Sequence, residues 1–189
     1  MDKKQNMLSA EEALAFLLAR ARPANKTEQI ATIDALGRVL AERLTSAVNV
    51  PPLDNSAMDG YAVRTADLVN ASTRLRVTQR IPAGTVGQPL KAGQAARIFT
   101  GAPVPAGCDA VVMQEYCGVE GDTVTVGKHP KTGENIRRSG EDIAAGAEIL
   151  PAGIRLRPQE MGLAASTGAA TLLVYRKLKV ATFFTGDEI

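Results

Sequence analysis

Apolar and polar positions alternate with changing period along this chain, and the changes mark its elements. Ser9 followed by Glu12 forms a capping box, and Leu14, Leu17, Leu18 and Ala21 then fall on one face, which predicts a helix that Pro23 stops. The alternating run Gln29 to Ile33 reads as a short strand. Asp34 is placed to cap a second helix through ALGRVLAERL, where Leu36, Val39, Leu40 and Leu44 make an apolar stripe. From about residue 47 the helical period disappears. LRVTQRIPAG, QAARIFTGAPVPAG, DAVVMQEY and DTVTVG are short β-rich runs set between Gly and Pro, and Val111, Val112 and Met113 read as a buried strand. Gly121-Asp122 fits the turn of a hairpin between Cys117–Val119 and Thr123–Val126. Strands at this spacing predict a small barrel or compact sheet.

The pattern changes again near residue 140. EDIAAGAEILPAGIRL carries two small-residue turns, AAG and PAG, beside apolar dipeptides. RPQEMGLAASTG predicts a short helix with Pro158 at its start and Gly168 past its end. LKVATFF then reads as an unbroken apolar strand of the buried, parallel-sheet kind, running into TGDEI. Such a strand ordinarily continues into a helix, so the chain is expected to break off inside a further domain.

Composition narrows the function classes. The 189 residues are 45% hydrophobic and 22% charged, as in a globular protein, and with 4% aromatics the core must rest on Ala, Val, Leu and Ile. A net charge of +2 from scattered basic residues argues against a nucleic-acid or membrane-surface partner. No run approaches the roughly 18 apolar residues of a membrane span, and the polar N-terminus shows no signal peptide. A cytoplasmic location is expected. Cys108 and Cys117 lack a pairing motif and read as structural, and His129, the only histidine, sits in a turn beside Pro130. There is no GxSxG elbow, phosphate-binding P-loop or GxGxxG.

What remains is acids and hydroxyls in Gly/Pro-rich turns: DNSAMDGYAV (54–63), FTGAPVP (99–105), RRSGED (137–142) and FTGDE (184–188). Each sets Asp, Glu or Thr beside Gly, where backbone N–H groups can approach an anion. Carboxylates without His or thiolate company suit a hard cation such as Mg²⁺, shared with substrate phosphates. Arg137 and Arg138 suit phosphate or another oxyanion. Taken singly, each segment fits an ordinary turn better than a site, so the residues alone lead to an anion- or metal-binding hypothesis and no further.

These same segments resemble the molybdopterin molybdenumtransferase family, which includes bacterial MoeA and the gephyrin E-domain. PPLDNSAMDGYAV, RIFTGAPVPAGCDAVVMQE, GENIRRSGEDI and KVATFFTGDE occur in the family's order and spacing, and the likeness covers essentially the whole chain. The resemblance implies an α+β multidomain fold. An elongated dimerisation domain (1–47 and 141–177) would carry an inserted β-rich domain (48–140). Residues 178–189 would begin a three-layer α/β molybdopterin-binding domain that is truncated here.

The implied reaction is insertion of molybdate into adenylylated molybdopterin with release of AMP in a Mg²⁺-dependent step, by a homodimer whose active site lies between subunits. This chain alone is expected to be inactive. Carried onto matching positions, the implied catalytic residues are Asp59, Thr100, Asp142 and Glu188, with Asp59 and Asp142 as metal ligands. Ser56, Gly101, Arg137, Arg138, Thr185, Gly186 and Asp187 are the implied substrate-binding residues. Thr100 and the Gly101 backbone would steady an oxyanion, and Glu188 would hold the pterin side. Asp54 is expected to shape its turn with Asn55 and Ser56. Two departures from the pattern stand out, Leu53 where an aromatic is common and Phe184 where a small residue often precedes TGDE. Two further readings compete, a non-catalytic dimerisation or scaffold module of the gephyrin type and a Mg²⁺-dependent phosphohydrolase. Retention of all four segments weighs against the first, and the long motif match against the second.

Overall fold

The computed structural model describes residues 8–184 apart from Ala24 and Ala71. The first element, α1 (Ala10–Arg20), begins where the capping box places it: the Glu12 N–H donates to Ser9 Oγ at 3.2 Å and the Ser9 N–H to Glu12 Oε2 at 2.8 Å. Its apolar stripe packs on nothing among the described residues, for Leu14, Leu17 and Leu18 are each more than half exposed. β1 (Thr27–Ala31) follows, two residues earlier than the alternation indicated.

The helix expected over ALGRVLAERL does not form. A single 3-10 turn covers Thr32–Asp34, and Gly37 then adopts φ +74°, a left-handed conformation that cannot continue a right-handed helix. Val39 and Leu40 are extended and bridge Arg155 and Val174. Leu40 is buried by that pairing, while Leu36 of the supposed stripe is left in solvent. Cross-chain backbone pairing outweighs the local period here.

β2 (Leu44–Thr45), β3 (Asn55–Ser56) and β4 (Gly60–Val63) come next, followed by β5 (Thr73–Ile81), β6 (Gln94–Ile98) and β7 (Ala110–Met113). β8 (Cys117–Glu120), β9 (Thr123–Val126), β10 (Ile136–Arg137) and β11 (Glu148–Leu150) precede α2 (Pro158–Ser166) and β12 (Thr171–Tyr175). β1 pairs antiparallel with β12 from Thr27↔Tyr175 to Ala31↔Thr171, and β2 pairs with β11. The two ends of the chain thus share one core of Ala35, Leu40, Leu150, Leu156, Ala164, Leu172 and Val174. α2 begins with Pro158 and is closed by Gly168 at φ +83°.

Between these pairings lies a six-stranded sheet in the order β7-β4-β6-β5-β9-β8. Its pairs are antiparallel except β5 with β6, which run parallel. The β8–β9 hairpin turns at Gly121-Asp122, with Gly121 at φ +60°. Side chains alternate between two apolar clusters. Tyr61, Val63, Leu75, Val112 and Val124 fall in one; Ala62, Ile81, Ile98 and Val111 fall in the other. Every residue of β4 is buried, so this central strand is covered on both faces.

LKVATFF departs from the expected buried strand. Residues 178–184 take no regular structure, and Leu178, Val180, Phe183 and Phe184 are each at least three-quarters exposed. A strand of this kind needs neighbours for its backbone groups and both its faces, and none of the described residues supplies them. No helix among the described residues is long and apolar enough to cross a membrane.

Candidate active site

The site is built where three neighbouring strands end together. Gly60 opens β4 and lies between Met113 of β7 and Ile98 of β6. A Cβ at this position would sit 2.0 Å from the Val112 carbonyl oxygen, so only glycine lets β4 come this close to β7. Asp59 is therefore held just outside the head of β4, beside the chain leaving β6. There the Thr100 N–H donates to Asp59 Oδ1 at 2.8 Å and the Thr100 hydroxyl donates to the same oxygen at 2.9 Å. Asp59 Oδ2 accepts from none of the described residues. The Thr100 N–H and then its hydroxyl hold the Asp59 carboxyl below its ordinary value, with the Arg97 charge adding a smaller effect in the same direction. At neutral pH this group is a carboxylate with one oxygen pinned.

FTGAP is zipped to DNSAMDG by main-chain bonds. The Gly101 N–H donates to the Ser56 carbonyl at 2.8 Å, and the Ser56 N–H to the Ala102 carbonyl at 2.9 Å. Gly101, at φ +81°, contributes its left-handed conformation, and its donor is already engaged. The Thr100 N–H is engaged as well, by Asp59, so the backbone oxyanion cradle expected at this turn is closed by the protein's own acceptors. Ser56 is placed differently from a substrate contact. It is buried, and its hydroxyl donates to the Met58 carbonyl at 2.5 Å, shaping the turn from within.

RRSGED reaches the same region through β10, which pairs Ile136 with Ser56 and Arg137 with Asn55. Asn55 also bridges Pro103, so residues 54–56 run as a seam between the other two segments. Asn55 Oδ1, buried in that seam, has no hydrogen-bond partner among the described residues. Asp54 acts across this seam as well as shaping its own turn. Its Oδ1 accepts from the Ser139 N–H at 2.8 Å and its Oδ2 from Arg138 at 2.6 Å, and those donors lower its pKa in that order. Asp142 is occupied by Arg137, whose Nη2 lies 2.6 and 2.5 Å from its two oxygens. That contact raises the Arg137 pKa. Arg137 and Asp142 exchange no hydrogen bond with Asp59 or Thr100 among the described residues. Thr185, Gly186, Asp187 and Glu188 lie outside the described residues.

Two participants, Arg97 and Gln114, went unnoticed in the sequence. Arg97 donates to the carbonyls of Gly60 at 2.9 Å and Ile98 at 3.1 Å, and to Gln114 Oε1 at 2.6 Å. An Arg in RIFTGAP carries no signal of this by itself, since only the register of β4, β6 and β7 brings it to Gly60. Elsewhere, burial pushes the thiols of Cys108 and Cys117 up to about 12 and about 11, so neither is a thiolate at neutral pH. His129 is exposed.

Residues 8–168 match the family model for the MoeA N-terminal region, domains I and II. The chain belongs to this MoeA family. A molybdopterin molybdenumtransferase of Haemophilus influenzae is 43% identical over 187 residues, covering 97% of this chain and 46% of that protein. One from Nostoc is 44% identical over 170 residues, covering 86% of this chain and 38% of that protein. The crystal structure of a molybdopterin biosynthesis MoeA protein from Pyrococcus horikoshii superposes with a TM-score of 0.79 at 36% identity, over 87% of this chain and 45% of that one. The chain therefore spans less than half the length of these MoeA relatives, and the α+β fold is one it shares with them.

Proposed function

We propose that this chain is the N-terminal part of an enzyme that inserts molybdate into adenylylated molybdopterin and releases AMP. Membership of the MoeA family and the molybdenumtransferase relatives support the reaction class. The observation that carries the site is the Asp59–Thr100 unit: an ionised carboxylate fixed through one oxygen by two neutral donors, with its other oxygen uncommitted. Such a group can orient a water for attack on phosphorus and accept its proton. Arg138 is exposed and engages Asp54 through one nitrogen, leaving donors for a substrate phosphate.

The described residues contain no cluster of three or more metal-ligating side chains. They fit Mg²⁺ only in the manner usual for that ion, through one or two carboxylates completed by water and substrate phosphate. Asp59 Oδ2 and the Asp142 carboxylate are the groups that would hold it. When bound there, Mg²⁺ neutralises phosphate charge. Glu188 and the turn from Thr185 to Asp187 are the proposed contacts to the pterin side. The proposed assembly is a homodimer in which a second copy completes the cleft; the unpaired apolar stripe of α1 supports it. In the full-length enzyme, Asp59→Asn is expected to lower AMP release by about 10²–10⁴-fold while the circular dichroism spectrum stays unchanged. Wild-type turnover in that variant would refute the assignment.

A further inference from the structure

The structure assigns Arg97 as a positioning residue for the Asp59–Thr100 pair, one guanidinium fastening the ends of the three strands that carry the site. β7, β4 and β6 are neighbours, and Arg97 reaches all three ends. It donates to the Gly60 carbonyl at the head of β4, to the Ile98 carbonyl at the end of β6, and to Gln114 just after β7. Gln114 in turn donates its N–H to the Asp59 carbonyl at 3.1 Å. The peptides on either side of Gly60 are thereby held, and so is the strand end that delivers Thr100.

This task suits arginine. A planar fork with five donors can serve several acceptors in fixed directions, whereas a lysine offers a single point from which it cannot span them. The fork is itself oriented, lying 4.4 Å from the centre of the Phe99 ring and 5.3 Å from that of Tyr61. Arg97 pairs with no carboxylate among the described residues. A residue that merely stapled the sheet would loosen its strands alike. A positioning residue loosens the contact between Asp59 and Thr100 first.

The inference rests on the proposed role of Asp59, so its test begins with a readout independent of turnover. The Thr100 amide donates to Asp59 Oδ1, and its hydrogen exchange compared with that of the β9 amides, on the far side of the same sheet, separates local loosening from a loss of global stability. In the 189-residue chain, Arg97→Met is expected to speed exchange at Thr100 several-fold more than at β9. Arg97→Lys, which keeps the charge and loses the fork, is expected to do the same.

A folded Arg97→Met protein in which the Thr100 and β9 amides speed up equally, or not at all, would overturn the assignment. Should Arg97→Met fail to fold, an Arg97→Lys protein exchanging like wild type overturns it equally. In the full-length enzyme the same substitution is expected to lower kcat for AMP release about tenfold with KM little changed. Faster exchange confined to the Thr100 amide with unchanged AMP release supports the positioning role and counts against the proposed reaction.

Discussion

At the turn after Met58 a carboxylate is held by neutral donors, and at the turn after Ser139 one is held by an arginine. Both turns follow one sequence rule, an acid within two residues of a glycine in a loop. Around Asp59, the Thr100 amide and hydroxyl steady one oxygen and leave the negative charge uncancelled. Around Asp142, the Arg137 guanidinium takes both oxygens and neutralises them. The first arrangement is ready to meet a proton or a cation. The second must be opened before it can do either. The difference does not lie in the acids but in which partner the backbone delivers to each.

The sharpest way to break this comparison is through the two glycines. Gly60→Ala forces a Cβ into the Val112 carbonyl and is expected to destabilise the protein by about 3 kcal/mol or more, read from the denaturant midpoint. Gly140→Ala meets Asn49 Oδ1 at 3.0 Å, a far milder approach, and its cost is chiefly that of a left-handed φ, about 1–2 kcal/mol. Equal effects would show that the head of β4 is less tightly built than described.

Asp54 joins the two turns, so cutting it tests whether they depend on each other. Asp54→Ala is expected to cost about 1 kcal/mol or less, because the pair it makes with Arg138 is partly open to solvent. Its pH dependence has a definite sign. The folded pKa lies below the ordinary value of 3.8, so the contribution is complete above that value and is lost as pH falls through the folded pKa. Acid titration of stability in Asp54→Ala should lack that component. If the mutant and wild-type curves run parallel below pH 3.8, the clamp is not formed in solution.

The smallest effect is expected at the arginine-held turn. Arg137 and Asp142 are both well exposed, and Arg137→Ala is expected to leave the denaturant midpoint unchanged within error. A clear loss of stability there would make the pair structural, which would separate the two turns even further.

Elements set by local chemistry were legible in the sequence. The Ser9–Glu12 box, the Pro158 start of α2 and the Gly121-Asp122 hairpin each need only a few adjacent residues, and each lies where the pattern places it. ALGRVLAERL was misread because its helical stripe is real, yet Leu40 gains more by bridging Val174, and Gly37 takes a conformation the stripe does not reveal. LKVATFF was misread in the opposite direction, since an apolar run becomes a strand only where other strands receive it. The turns of the site were legible as motifs, but the occupants of their donors were not. Gly101 looked like an open cradle and is bonded to Ser56, while Arg97 looked like any strand arginine and reaches three strand ends.

By itself, then, the sequence determined which short elements form and which turns hold acids beside glycine, because those features depend on neighbours along the chain. Tertiary structure alone decided that Asp59 faces Thr100 and that Asp54 spans to Ser139. Those partners are 41 and 85 residues apart in the chain, and such a hydrogen bond is made only when sheet register brings donor and acceptor within about 3 Å. Arg137 and Asp142, five residues apart, meet within a single turn. The uncancelled charge that Asp59 presents follows from register, and the neutralised one at Asp142 from its own turn.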